Sequence, residues 1–257
     1  MVNGQWLIFH LNRRIRGGLL LFFLFPILAV AQTDSLSVSI HNLHTWTAGT
    51  TVTAEAVASF GGMDSCFVAM PIPDDVWQRM QGKTYKPNPH IARSDLRYLR
   101  LLHTDYDHKI HLGEMVCNRQ IADRLLDIFR QLYEAGYPIQ RIVLPDDYDA
   151  DDERQMRANN SSSFCYRSVS GSKKLSVHAR GMAVDLNPFY NPYYIDRKDG
   201  TRFVQPATAR QYCNRNKQFP YKIDKNDLAY RLFTRHGFAW GGSWRTCKDY
   251  QHFLLRE

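Results

Sequence analysis

Residues 176–185 read SVHARGMAVD, and residues 249–253, near the far end of the chain, read DYQHF. Together the two stretches hold two histidines and two acids at the positions that a catalytic zinc site requires. Catalytic zinc is typically bound by three protein ligands, which leaves a fourth position for the attacking water. The predicted ligands are His178, Asp185 and His252.

Asp249 lies three residues before the last predicted ligand. It is predicted to sit beside the metal without binding it and to accept a proton from the water. The alternative is structural, because a single His-x6-Asp pair is common by chance and short motifs give many false matches. The second motif strengthens the metal interpretation.

The segment 181–187, GMAVDLN, has the small and apolar residues typical of a strand. Alternate residues of a strand share a face, so Gly181, Ala183 and Asp185 are predicted to point the same way. His178 is expected on the loop that enters this strand. Small residues would keep the floor of the site open to a metal or substrate.

These motifs resemble the zinc D-alanyl-D-alanine peptidases, which include vancomycin-resistance carboxypeptidases and phage endolysin endopeptidases. The family pattern Ser-x-His-x-x-Gly-x-Ala-x-Asp is matched in full, as are the acid-x-x-His pattern and the Trp-Gly-Gly before it. The resemblance spans residues from about 85 to the end and is densest in 145–192 and 236–253. It implies an α+β fold of the hedgehog type, in which a small, mostly antiparallel sheet packs with helices.

The resemblance also assigns roles to single residues. It implies that His178, Asp185 and His252 bind zinc and that Asp249 is the catalytic base. It makes Arg167 the electrophilic partner of the substrate carbonyl and Ser176 a substrate-binding residue. The remaining alternative for Arg167 is a salt bridge with the acidic run 146–153, DDYDADDE.

The expected function is therefore zinc-dependent hydrolysis of peptidoglycan stem peptides, with D-alanyl-D-alanine carboxypeptidase favoured. Asp249 stands where the dipeptidase branch has Glu, which favours the branch that contains endopeptidases, so an L-alanyl-D-glutamate endopeptidase is the close alternative. Leu254 also differs from the Glu of many relatives, but it is not a predicted ligand. A zinc-bearing but non-catalytic cell-wall-binding protein is a third candidate. Asp249 argues against it, because a binding module needs no base beside the metal.

The first 31 residues have the layout of a secretory signal: Arg13, Arg14 and Arg16, then an apolar run, then Ala-Val-Ala before Gln32. The apolar run is too short for a comfortable membrane span, so no stable span is expected after cleavage and the protein is predicted to be periplasmic or secreted. An uncleaved anchor is the alternative, because residues 6–11 add a second apolar patch upstream. The predicted organisation is a signal peptide (1–31), an N-terminal extension (32–84) and a zinc peptidase domain (85–257).

Cleavage would remove three basic residues and no acid, so the net charge would fall from +8 to about +5. A modest positive surplus suits an anionic cell-wall surface. There is no basic stripe interleaved with aromatics, so a nucleic-acid partner is not expected. Five cysteines without a Cys-x-x-Cys pair argue against a structural zinc knuckle, and buried free thiols are expected.

Other segments give local predictions. Residues 32–62 are expected to form an extended arm or a small strand pair, 140–145 a strand and 146–153 a loop. Apolar residues at helical spacing predict a helix capped by Asn118 and ended by Gly136, and a second helix from about Asp227 to Gly237. In the aromatic stretch 187–194, NPFYNPYY, two prolines predict irregular structure.

Overall fold

The computed structural model describes residues 45–169 and 172–255. The predicted signal peptide lies outside the described residues. The described part is α+β, with helices packed against small antiparallel sheets, which confirms the predicted fold class. The strands are β1 (Thr51–Val52), β2 (Val68–Met70), β3 (Leu96–Thr104), β4 (Ile110–Asn118), β5 (Ala183–Asp185), β6 (Tyr193–Asp196), β7 (Arg202–Gln205), β8 (Ala239–Trp240), β9 (Lys248–Asp249) and β10 (His252–Leu254).

The helices are short except for one that covers the largest sheet. Their apolar residues face the strands, because a single helix can bury only one stripe of its surface. They are α1 (Ala54–Ser59), α2 (Met63–Cys66), α3 (Asp74–Met80), α4 (Ala122–Glu134), α5 (Asp152–Arg157) and α6 (Leu228–Arg235). None of the helices in the described part is long and apolar enough to cross a membrane.

The largest sheet has the order β1-β4-β3-β2 and is antiparallel throughout. Helix α4 buries its apolar stripe against it, and the side chains of Leu125, Ile128 and Leu132 are fully buried. This confirms the predicted stripe. The predicted cap is wrong: Asn118 ends β4, and its side chain accepts a hydrogen bond from the Gln120 backbone instead of capping α4.

Residues 45–84 contribute both edge strands of this sheet. The predicted strand pair is wrong in part, because β1 is followed at once by helix α1, which Thr53 caps by accepting a hydrogen bond from the Ala56 backbone. The division at residue 84 stays a prediction. β1 and β2 precede it and pair with β4 and β3, which follow it.

Two other local predictions are wrong. Residues 140–145 form no regular strand; Arg141 makes an isolated bridge with Asn160, and the Ile142 carbonyl accepts a hydrogen bond from the Glu114 backbone. The acidic run 146–153 is a 3-10 turn followed by the start of α5 rather than a loop, because Asp151 caps that helix. Acidic residues stabilise helix N-termini by capping them, so an acidic run can begin a helix even where its composition suggests a loop.

The second sheet, β5-β10-β8, joins the two motif segments. Helix α6 leads into it: Asp227 caps the helix by accepting from two backbone amides, and Gly237 ends it in a left-handed conformation, as predicted. Phe233 of α6 is fully buried and stacks on Phe253 of β10 at a ring distance of 4.3 Å. The helix therefore supports the strand that carries His252.

The third sheet, β7-β6-β9, carries Asp249 at the end of its edge strand β9. The aromatic stretch is irregular through Pro192, as predicted, but Tyr193 and Tyr194 then begin β6. All five cysteines lie in the described residues and are unpaired. Four are buried, as predicted, and Cys247 is half-buried.

Gly181 offers a test of how the His178 segment is fixed to the large sheet. Its φ is 66°, and an added Cβ would lie 2.6 Å from the Asn118 backbone nitrogen. Gly136, with φ 62°, has nothing within 4 Å of such a Cβ and is the matched control. We expect Gly136→Ala to lower the free energy of unfolding by about 1 kcal/mol and Gly181→Ala by about 3 kcal/mol, because overpacking adds to the backbone penalty. Equal losses in urea unfolding would show that Asn118 does not restrict this position.

Candidate metal and catalytic centre

The described structure brings together the three residues predicted to bind a metal. One potential ligand atom from each of His178, Asp185 and His252 lies within 4.8 Å of the others. His178 Nε2 is 3.1 Å from His252 Nδ1 and 3.2 Å from Asp185 Oδ2, and His252 Nδ1 is 2.9 Å from Asp185 Oδ1. Both histidines are buried. Two ring nitrogens and a carboxylate converging on one point form a donor set that suits zinc.

His178 lies on a 3-10 turn, Val177–Arg180, rather than on an open loop. Its Nδ1 is 2.6 Å from the Ser163 carbonyl oxygen, which can accept but not donate a hydrogen bond. Nδ1 is therefore the nitrogen that donates to this carbonyl, and Nε2 is the nitrogen that faces the cluster. A hydrogen bond of this kind from the second ring nitrogen commonly orients metal-binding histidines.

Asp185 and His252 are held by strand register. β5 and β10 are antiparallel, and Asp185 lies directly opposite His252. Paired residues in such a sheet project from the same face with Cβ atoms about 5 Å apart, so the backbone places both side chains for one ion. The Trp244 ring lies edge-on to the His252 ring at 5.4 Å and limits its rotation.

The charged groups of the cluster shift one another's pKa values. Burial alone would raise the pKa of Asp185, but His178 and His252 hold that pKa well below its ordinary value. Burial would lower the pKa of His252, whereas Asp185 and Asp249 raise it above its ordinary value. A buried carboxylate therefore stays ionised beside the two imidazoles, as a metal ligand must.

Asp249 lies next to this cluster without belonging to it. Its Oδ1 is buried and has no hydrogen-bond partner in the described part of the chain. Burial raises the pKa of Asp249 to about 6, with a further contribution from Asp185 and an opposing one from His252. Gly241 makes the close packing possible, because a Cβ there would lie 2.6 Å from the Asp249 carbonyl oxygen and 3.3 Å from the His252 Cβ.

The region of the chain that contains this centre matches a known protein family. A family model for D-alanyl-D-alanine carboxypeptidase matches residues 170–255, which include all three residues of the cluster and Asp249. Over this segment the chain is similar to the D-alanyl-D-alanine carboxypeptidase family. The predicted resemblance and its peptidase class are thereby confirmed. No significant match was found among curated proteins or solved structures.

Arg167 lies just before the carboxypeptidase-family segment. Its Nε is 2.7 Å from Asp152 Oδ2, so it makes the salt bridge with the acidic run that was the alternative from sequence. Burial lowers the pKa of Arg167, but Asp152, Cys165 and Asp185 more than compensate and raise it. Asp185 of the metal cluster is thus one of the acids whose charge acts on this guanidinium. The salt bridge and a catalytic role are therefore compatible.

Ser176 and Gly181 flank the His178 turn of the carboxypeptidase-family segment. Ser176 is buried, and its hydroxyl caps the turn by accepting a hydrogen bond from the His178 backbone at 3.3 Å. Gly181 ends the turn in a left-handed conformation, so its predicted place in the strand facing the site is wrong. Ala183 and Asp185 do share a strand face, as predicted.

Sequence reasoning missed the roles of Ser163, Trp244 and Gly241, and it named the partner of Arg167 only as the acidic run that contains Asp152. Ser163 acts through its backbone carbonyl, which leaves no sequence signal. Asp152 and Trp244 are close to their partners only in three dimensions. Gly241 was visible within the Trp-Gly-Gly motif, but its steric role depends on how β9 and β10 approach each other.

The cap contributed by Ser176 can be tested by unfolding. Loss of a helix-capping hydroxyl costs about 1 kcal/mol, so we expect Ser176→Ala to lower the free energy of unfolding by about that amount. Ser172→Ala is the matched control, because Ser172 is exposed and bonds only to a nearby backbone amide; we expect a loss below about 0.5 kcal/mol. A fully stable Ser176→Ala protein would contradict the structural role and leave substrate binding as the function of this hydroxyl.

Proposed function

We propose that the protein is a zinc-dependent peptidase that hydrolyses peptidoglycan stem peptides, with the terminal D-alanyl-D-alanine bond as the favoured target. The observation that carries this proposal is the convergence of His178, Asp185 and His252 beside a buried carboxylate, Asp249. The family match supports the peptidase class.

The residues present fit a zinc ion. The donor set of two imidazoles and one carboxylate is the kind found in zinc hydrolases, and His178 already has its second nitrogen committed to the Ser163 carbonyl. His178 Nε2, His252 Nδ1 and a carboxylate oxygen of Asp185 would hold the ion. Zinc in such a site supplies a Lewis acid and makes water acidic enough to ionise near neutral pH.

Asp249 would transfer the proton from the attacking water to the leaving group. Its unpartnered Oδ1 is available to accept a proton from the attacking water. The same atom can then donate that proton to the nitrogen of the departing amine, so that one carboxyl group serves first as base and then as acid. Burial makes the protonated form accessible, because it raises the pKa of Asp249 to about 6.

Arg167 would stabilise the negative charge that develops on the carbonyl oxygen of the scissile amide. The ion pair between Nε and Asp152 leaves the two terminal nitrogens as the groups that would face the substrate. Electrostatic stabilisation of this kind is typically worth a few kcal/mol per donor. Asp152 would act only by holding the guanidinium in place.

The proposal includes a location in the cell envelope. The signal-like layout of residues 1–31 and a substrate found in the cell wall favour a periplasmic or secreted enzyme. The predicted partners are peptidoglycan stem peptides.

Zinc binding tests the ligand assignment. We expect His178→Ala and His252→Ala each to abolish stoichiometric zinc binding, because two protein ligands hold the ion far more weakly than three. Zinc content is measured by mass spectrometry of metals after dialysis, and folding by circular dichroism. His90→Ala, at an exposed histidine, is the matched control and should keep its zinc. Full zinc occupancy in both ligand variants would overturn the assignment.

Turnover tests the role of Asp249. Purified muropeptides are digested with zinc-loaded wild type, Asp249→Asn and Asp199→Asn, and the products are identified by mass spectrometry. We expect Asp249→Asn to retain zinc and to lose about 10²–10⁴-fold in kcat, the usual contribution of a general base. Asp199 is an exposed hairpin carboxylate, and its variant should keep wild-type turnover.

The products of the same digest identify the bond. Loss of one terminal alanine supports the carboxypeptidase, whereas release of the stem after its first alanine would replace it with the endopeptidase. Stoichiometric zinc without any cleavage would overturn the peptidase proposal in favour of a wall-binding protein.

A further inference from the structure

The third sheet extends away from Asp249 as a continuous surface. Across the order β7-β6-β9, Tyr193 of β6 lies directly opposite Asp249 of β9 on one side and opposite Gln205 of β7 on the other. Directly paired residues project from the same face of an antiparallel sheet. Asp249, Tyr193 and Gln205 therefore form one row of side chains across the three strands.

The same face also includes Ile195 and its partner Phe203, because alternate residues of a strand share a face. We call Tyr193, Ile195, Phe203 and Gln205 the aromatic wall. The opposite face holds Val204, which is buried, and Tyr194, which packs on the core. Phe203 is 37% exposed, one of the few large hydrophobic side chains of the described chain that remain so open.

Contacts within the wall hold its rings in place. The rings of Tyr193 and Phe203 meet edge to face, with centroids 6.3 Å apart and an angle of 65°. Burial raises the pKa of the Tyr193 hydroxyl to about 12, with contributions from Cys247 and Asp249. Arg197 lies over the Phe203 ring, 5.2 Å from its centroid, at the outer end of the wall.

The dimensions and chemistry suit an extended peptide. Strands lie about 4.8 Å apart and rise about 3.3 Å per residue, so the wall measures about 5 Å by 7 Å. The row from Asp249 across to Gln205 measures about 10 Å, the length of two to three extended residues. Its side chains are uncharged, with ring faces for apolar groups and a Gln205 amide for a peptide backbone. A row that begins at Asp249 places this surface next to the bond that is cut.

We propose that the aromatic wall is a peptide-binding subsite, which holds the two to three residues that continue from the scissile amide. This inference rests on the proposed peptidase function and adds that the enzyme recognises a length of stem peptide rather than only the two residues at the bond. Tyr193 contacts the residue nearest Asp249, and Phe203 contacts the more distant part.

The test compares a full stem pentapeptide with the dipeptide that flanks the bond identified in the muropeptide digest. We expect Phe203→Ala to raise KM for the pentapeptide about tenfold, with kcat unchanged, and to leave KM for the dipeptide unchanged, because the dipeptide does not reach Phe203. Tyr106→Ala is the matched control, since Tyr106 is another exposed aromatic, 57% exposed, and belongs to a different surface. Its KM for both peptides should equal that of wild type.

A binding measurement separates the two proposals. Calorimetry with zinc-loaded Asp249→Asn gives the Kd of the uncleaved pentapeptide, and Phe203→Ala in that background should weaken it about tenfold. Cleavage by wild type with KM and Kd independent of Phe203 would overturn the subsite and leave the peptidase. Binding that depends on Phe203 without cleavage by wild type would support the subsite and overturn the peptidase, and the absence of both binding and cleavage would overturn the two together.

Discussion

The antiparallel pairing of β5 with β10 is the constraint on which the candidate centre depends. It sets Asp185 opposite His252, although the two residues are far apart in the sequence. A shift of one residue would turn either side chain to the other face of the sheet, since the side-chain period of a strand is two. The stacked contact between Phe233 and Phe253 and the buried Val184 keep that register, because a slip would expose apolar side chains.

With Asp185 and His252 in place, close backbone packing positions His178 and Asp249 beside them. The His178 turn lies against the end of β4, where the Asn118 amide donates to the Gly181 carbonyl and the Asn118 side chain donates to the Arg180 carbonyl. On the other side, Gly241 lets β9 and β10 approach so closely that Asp249 and His252 become neighbours. Glycine at both places removes a side chain that would separate the backbones.

The electrostatics of the centre follow from burial. Isolated carboxylates are costly to bury, yet Asp185 stays ionised because two imidazoles face it. Asp249 lacks such a partner at Oδ1 and is shifted in the opposite direction. Two acids in one site therefore differ in proton affinity, an arrangement that separates a ligand from a proton carrier.

The sequence by itself determined the elements whose patterns are local. The apolar stripe of α4, the extent of α6 from about Asp227 to Gly237 and the spacing of residues within each motif all depend on residues a few positions apart, so they could be predicted from the sequence. The start of α4 and the irregular path of residues 140–145 depended on the fold, because hydrogen bonds to distant segments outweighed local propensity there. The helix in the acidic run has a local cap, Asp151, which an interpretation from composition overlooked. The Ser163 carbonyl, the Asp152 partner of Arg167 and the wall beyond Asp249 also required the fold. Each depends on atoms brought together by strand pairing and core packing, and a sequence records residue types but not those approaches.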